Sequence, residues 1–289
     1  MTGEFAIVVK NLSYTYKANT PLASSALHDI NLEISKGQFV AIIGQTGSGK
    51  STFVQHLNGL IPTSAGHIWI DGEDIGAKGF NLKNLRHKVG LVFQYPEHQV
   101  FEETVFADIA FGPKNQGYTG AELERKVRTA MELVKLDFAR FKDRSPLELS
   151  GGQLRRVAIA GVLAMEPSIM ILDEPTAGLD PETRDEILEQ IGRLHEQTGI
   201  TVLLVSHSME DVARLADLVV VFNQGTVALK GSPRELFQHE AELTAIGLGV
   251  PEVVRVMLGL KDKGIAVDTR ILSIQEAADE IIQRWRKDA

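Results

Sequence analysis

The sequence predicts an α/β fold built on a largely parallel sheet, and three observations carry that expectation. Short, fully apolar runs recur along the chain, helical patterns lie between them, and a glycine-rich turn joins the first run to a helix. Phe39–Ile43 is the first run, bounded by Gly37 and Gly44 and apolar at every position, as a strand buried on both faces would be. Val89–Phe93, Ile169–Leu172 and Thr201–Val205 repeat the pattern, and Leu218–Phe222 and Thr226–Leu229 follow. Upstream, Ile30, Leu32 and Ile34 alternate with polar residues as in a half-buried strand.

Helix starts are marked by Ser/Thr-x-x-Glu/Gln capping boxes at Thr119/Glu122, Ser150/Gln153, Ser232/Glu235 and Ser273/Glu276. The stretch Pro96–Met165 holds no strand pattern and reads as a helical insert between two core strands. Near the end, Ile274, Ala277, Ala278, Ile281, Ile282 and Trp285 recur at the 3.6-residue period and give one apolar face, approached through Gly247, Gly249 and Pro251. The expected division is a body of residues 1–240, with the insert at about 96–165, and a small C-terminal helical domain of residues 241–289.

Composition excludes several classes. The 289 residues are 44% hydrophobic and 24% charged, the balance of a folded globular chain. Asp and Glu number 38 against 30 Lys and Arg, a net charge of −8, and no basic arm is present, so no nucleic-acid partner is expected. Without cysteine there is no disulfide, thiolate metal site or cysteine nucleophile. The N-terminus lacks an apolar signal core, which predicts a cytosolic start, and the apolar runs fall short of the ~18 residues that cross a bilayer, so any membrane role is expected to be peripheral.

Gly44-Gln45-Thr46-Gly47-Ser48-Gly49-Lys50-Ser51 matches a phosphate-binding loop, after a buried strand and before a helix that continues through Thr52. Its glycines let backbone N–H groups face phosphate oxygens, Lys50 reaches the terminal phosphates and the Ser51 hydroxyl can ligate Mg2+. Asp173 and Glu174 close another buried strand at its C-terminal end, where open α/β sheets bind ligands. Asp173 suits Mg2+, directly or through water, and Glu174 an attacking water. Leu149-Ser150-Gly151-Gly152-Gln153 is a good helix cap, and the same geometry exposes backbone donors to an anion. The helix it opens is expected to turn Leu154, Val157, Ala158, Gly161 and Met165 inward.

This pentapeptide, with the phosphate loop, resembles the signature of ATP-binding cassette (ABC) ATPases. The resemblance implies a P-loop NTPase fold with a mixed core sheet, an antiparallel β subdomain and a helical insert, using ATP and Mg2+. It also implies that Gln94 contacts Mg2+ and the water, that His207 contacts the γ-phosphate, that Asp180 lies in a loop at a dimer interface, and that Ser150, Gly151, Gly152 and Gln153 cover a partner's nucleotide. Tyr16 resembles the adenine-stacking aromatic, with Tyr14 on the same side of a strand as the alternative. Asp180-Pro181 is equally an ordinary helix cap. Leu154 departs from the basic residue often found after the signature glutamine, without touching the phosphate chemistry.

The segments from Val92 to Val105, from Asp108 to Asn115 and from Tyr16 to Leu27 resemble, more narrowly, the ATPase subunits of energy-coupling factor (ECF) transporters, of the second or A-prime type. That likeness implies a peripheral protein on the cytoplasmic side of the cell membrane, serving uptake of a vitamin or a metal ion such as cobalt or nickel. Its implied partners are a second ATPase subunit, copy or paralogue, a transmembrane coupling subunit and a substrate-binding membrane subunit. The tail is expected to hold the two ATPase subunits together rather than to contact nucleotide. Rival readings are another ABC transporter class, a small-molecule kinase, for which the signature has no use, and a cassette of DNA repair or translation, whose heptad insertions or second phosphate loop are missing.

Overall fold

The computed structural model describes residues 4–288; the side chains at 96, 97 and 285–288, Trp285 among them, lie outside what is described. Ten strands form two sheets: β1 (Phe5–Tyr16), β2 (Ser24–Ser35), β3 (Phe39–Ile43), β4 (Ala65–Ile70), β5 (Glu73–Asp74), β6 (Val89–Val92), β7 (Ile169–Asp173), β8 (Thr201–Val205), β9 (Leu218–Asn223) and β10 (Thr226–Gly231). The core sheet has the order β10-β9-β3-β8-β7-β6. Its members are parallel except β10, which pairs antiparallel to β9 at one edge. A second sheet, β2-β1-β4-β5, is antiparallel throughout. The mixed core and the antiparallel subdomain are thus both present.

The helices are α1 (Lys50–Leu57), α2 (Leu82–Lys88), α3 (Val105–Asn115), α4 (Gly120–Leu133), α5 (Phe138–Phe141), α6 (Gly151–Leu163), α7 (Pro181–Thr198), α8 (Met209–Leu215), α9 (Pro233–Leu236), α10 (Glu240–Ala245), α11 (Glu252–Asp262) and α12 (Ile274–Asp288). Strand alternation divides the core. Val40 and Ile42 of β3 pack with α1 and the antiparallel sheet, while Phe39 faces the cluster of α3, α4, α6 and α7. Ala41 and Ile43 join a third cluster with Met209, Leu243, Leu248 and Val254, so the first part of the tail is built into the body. Among the described residues, Met257, Ile271 and Ala277 form a small cluster of the tail's own.

The capping boxes at Ser150/Gln153 and Ser232/Glu235 form as expected. Thr119 makes no side-chain cap bond, a correction to the predicted box, and α4 rests on its buried face of Leu123, Val127, Ala130 and Met131 instead. Ser273 caps the Glu276 N–H at 3.1 Å, but the Glu276 carboxylate turns to the Leu272 N–H and to Arg234, so only half of that box exists. In α6 Val157 and Ala158 are buried as expected, together with Arg155, Ile159, Ala160, Val162 and Leu163. Gly161 and Met165 of the expected inner face are half-buried and line a groove against α2 and α3 with Ala158 and Val162. Among the described residues no helix is long and apolar enough to cross a membrane.

Candidate active site

Four loops at the C-terminal ends of core strands build the site, beginning with the one between β3 and α1. Gly49 is the N-cap of α1 in a left-handed conformation, φ 105°, and no side chain caps the helix, so its first N–H groups face outward as anion donors. Close packing enforces glycine here: a Cβ on Gly44 would sit 2.3 Å from the Phe222 carbonyl oxygen, and one on Gly49 2.7 Å from that of Ala26. Lys50 is buried and donates from Nζ to the carbonyls of Gly44 at 2.7 Å and Gln45 at 2.9 Å. Burial pushes the Lys50 pKa down, and the carboxylates of Glu174 and Asp173 oppose that shift.

Asp173 ends β7, where burial raises its pKa, the Ser51 hydroxyl hydrogen-bonds it in opposition, and Glu174 adds to the rise. Glu174 follows with φ 50°, a left-handed backbone that costs a non-glycine residue about 1–3 kcal/mol. Its N–H is held by the Val205 carbonyl at 3.0 Å. The carboxylate is gripped on both sides: Gln94 Nε2 donates to Oε2 at 3.1 Å, and His207 Nε2 lies 2.6 Å from Oε1. Gln94 follows β6 and His207 follows β8, so three strand ends converge on one carboxylate.

Tyr16 and Tyr14 share one side of β1, with ring centroids 4.9 Å apart. Tyr16 is the exposed ring, its hydroxyl 3.0 Å from Thr52 Oγ1, while Tyr14 packs into the core and edges against His56. Thr46 and Gln45 line a cavity of about 430 Å3 with His207 and Gly247–Gly249, so the tail is not remote from the phosphate loop.

The signature stands at the start of α6. The Ser150 N–H donates to Gln153 Oε1 at 3.1 Å, and the Gln153 N–H to Ser150 Oγ at 3.3 Å. Gly151 is exposed with open space around it, and Gly152 is pressed on Thr183 of α7. Asp180 caps α7 by accepting from the Thr183 N–H at 3.0 Å, and that bond heads the causes that lower its pKa.

Sequence reasoning missed Arg155. Its Nη1 donates to the carbonyls of Pro175 and Ala177, in the loop that begins with Glu174. The available signal was a charged residue in helical register with Ile159 and Val162 on a buried stripe.

A family model described as ABC transporter matches residues 27–177. The Energy-coupling factor transporter ATP-binding protein EcfA2 of Clostridium perfringens is 51% identical over 283 residues, 98% of this chain and 99% of that protein. The chain belongs to the ECF-type ABC transporter ATPases. The protein of the same name from Symbiobacterium thermophilum is 53% identical over 275 residues, 95% of each chain. Among solved structures, cbiO1 of Clostridium perfringens, described as part of the ABC transporter complex cbiONQ, superposes on this ECF-type ATPase with a TM-score of 0.75 at 36% identity, covering 89% of this chain and all of that one. The ATP-binding cassette MJ0796, solved as a dimer with ADP and Pi, gives a TM-score of 0.70 at 32% identity over 78% of this chain and 98% of its own. An ECF-type ABC ATPase binds and hydrolyses ATP.

Proposed function

We propose that this ATPase is the second, A-prime-type ATPase subunit of an ECF importer, and that its site residues divide the work of one MgATP site. The N–H groups of residues 44–52, with Lys50, hold the phosphates, and Tyr16 stacks on adenine, a choice over Tyr14 that its exposure supports. Ser51, Asp173 and Gln94 hold Mg2+. Their donors are hydroxyl, carboxylate and amide oxygens, and among the described residues no group of three or more His, Asp or Glu side chains forms a metal cage. Such a set fits a hard cation that shares its coordination with phosphate and water. When bound, Mg2+ neutralises phosphate charge.

Glu174 orients the attacking water, and Gln94 and His207 fix both of its oxygens, which is the single observation that carries the reading. His207 also reaches the γ-phosphate. Ser150, Gly151, Gly152 and Gln153 act on the nucleotide of a partner cassette, a paralogue or second copy, and Asp180 lies at the same interface. The capped start of α6 supports this, since Gly151 is exposed there with open space around it.

A transmembrane coupling subunit docks in the groove between α2, α3 and α6, a cavity of about 600 Å3. Phe101 and Phe111 stack edge-on there at 65% and 44% exposure, next to the segment that carries Gln94. A substrate-binding membrane subunit selects the cargo, a vitamin or a transition-metal ion such as cobalt or nickel. The complex sits on the cytoplasmic side of the cell membrane with this subunit peripheral. The division at about residue 240 gives residues 1–240 the nucleotide chemistry and residues 241–289 a share in ATPase pairing. In support, Ile274 and Ile282 of α12 are 82% and 50% exposed on an apolar face.

The test is Glu174→Gln, which keeps Lys50, Ser51 and Asp173. ATP binding should persist while hydrolysis by the assembled pair falls at least about a hundredfold. Turnover at the wild-type rate would remove Glu174 from the role.

A further inference from the structure

The turn after α10 is closed in a specific way. The Leu248 N–H donates to the Leu243 carbonyl at 2.9 Å and the Gly247 N–H to that of Thr244 at 2.9 Å, the paired bonds that end a helix at a left-handed residue. Gly247 is that residue, φ 70°. Leu243 and Leu248 are buried with Ile43, the last residue before the phosphate loop, and with Met209, two residues after His207. A third tie lies close by, where the Glu210 carboxylate accepts from the Glu252 N–H at the start of α11, at 3.3 Å. The turn is therefore fixed to the strand that launches the phosphate loop and to the helix that follows His207.

What the turn presents to the site is a bare Cα. A Cβ on Gly247 would lie 1.7 Å from Gln45 Nε2 and 2.9 Å from its Cδ, so a methyl group there would force the exposed Gln45 side chain out of the place it holds against the turn. Gln45 is the hub of the loop, because its carbonyl accepts both from Lys50 Nζ at 2.9 Å and from the Ser48 N–H at 3.1 Å. The helix-ending turn explains a left-handed glycine but not the lack of space beside it. Gly264 makes the contrast, at φ 83° with nothing within 4 Å of a Cβ.

We infer that Gly247 is a positioning residue of the phosphate loop, acting through Gln45, and that the C-terminal segment is thereby a working part of the nucleotide site. The inference rests on the reading that residues 44–51 hold ATP phosphates. Coupling between two sites is reciprocal, so a shift of the tail changes nucleotide affinity and nucleotide changes the tail by the same factor.

The experiment uses the full chain and measures MgATP affinity by calorimetry, and kcat and KM in the assembled pair. Gly247→Ala should weaken MgATP binding about tenfold and raise KM more than it lowers kcat. Adding Gln45→Ala to Gly247→Ala makes room for the new methyl group, so Gly247→Ala should weaken affinity less than about threefold when measured against the Gln45→Ala single variant. Gly264→Ala, which carries the same backbone strain in the tail, should lower Tm with no change in affinity. If Gly247→Ala does not fold, hydrogen exchange on the wild-type chain decides, since MgATP should protect the amides of residues 246–249 as well as those of residues 44–51. Wild-type affinity in Gly247→Ala, an undiminished loss from Gly247→Ala in the Gln45→Ala background, or amides at 246–249 indifferent to MgATP would each overturn the inference. A wild-type chain that binds no MgATP would instead overturn the functional reading beneath it.

Discussion

The guanidinium of Arg155 donates to the carbonyl of Ala177 at 2.9 Å, and the same nitrogen donates to that of Pro175 at 2.8 Å. Arg155 is 2% exposed, in the first turn and a half of the helix that the signature opens. The helix start proposed to face a partner's nucleotide is thus tied to the loop that carries this chain's own Glu174. Arg155→Met should cut kcat about 10–100-fold with KM for ATP nearly unchanged, because the phosphate loop is not touched, and lower stability by roughly 1.5–3 kcal/mol per lost charged hydrogen bond. Arg155→Lys should fall between the two. A destabilised Arg155→Met with wild-type kcat would reduce Arg155 to a structural brace.

Asp173 gives a prediction with a sign that runs against activity. Its folded-state pKa is raised, chiefly by burial, so its contribution to stability is complete below the ordinary Asp value and is lost as pH rises through the raised one. Ionised Asp173 therefore works against the fold at neutral pH. Asp173→Asn should melt higher at pH 7, by about 2–4 °C for each kcal/mol relieved, while losing hydrolysis. The difference in Tm between variant and wild type should shrink as pH falls toward the ordinary Asp range. An Asp173→Asn protein that melts lower at pH 7 would contradict the assignment of burial as the dominant cause.

Gly151→Asp offers a clean electrostatic probe, because Gly151 has open space around its Cα and an acidic residue in the first turn suits the helix dipole. The isolated subunit should fold and bind ATP as before. Hydrolysis by the assembled pair should drop at least about a hundredfold, since the new carboxylate would face a partner's γ-phosphate. Loss of ATP binding by the isolated subunit would place the signature in its own site instead.

For the tail, truncation before Gly247 is a poor experiment: it would remove Leu248 and Val254 from the core that holds Ile43 and Met209. Substituting the exposed Ile274 and Ile282 by serine leaves that core alone. The double variant should keep the wild-type Tm and weaken association with the partner cassette, measured by sedentation velocity or by native mass spectrometry. Unchanged association would return this face to solvent.

The local structure of the candidate site was legible because it is written in contiguous stretches. Residues 44–52 determine a strand-to-helix turn with outward donors, Asp173 and Glu174 follow a run that can only be a buried strand, and Ser150 to Gln153 form the predicted cap. Short-range patterns of this kind depend on backbone geometry within a few residues, which one sequence contains. Thr119 shows the limit, since a pattern that permits a cap does not compel it once packing has set the helix start.

The sequence by itself therefore determined the turns and caps that present the candidate residues and the strands that carry them. Only the tertiary structure decided how they are held. Gln94 meets Glu174 across 80 positions of chain, Arg155 closes on Ala177 from a neighbouring helix, and Gly247 returns from the tail to bear on Gln45. None of these pairs has a local signature. They exist because the parallel sheet brings separate strand ends to one edge, and because burial favours, among many possible contacts, those that pair the polar groups they enclose.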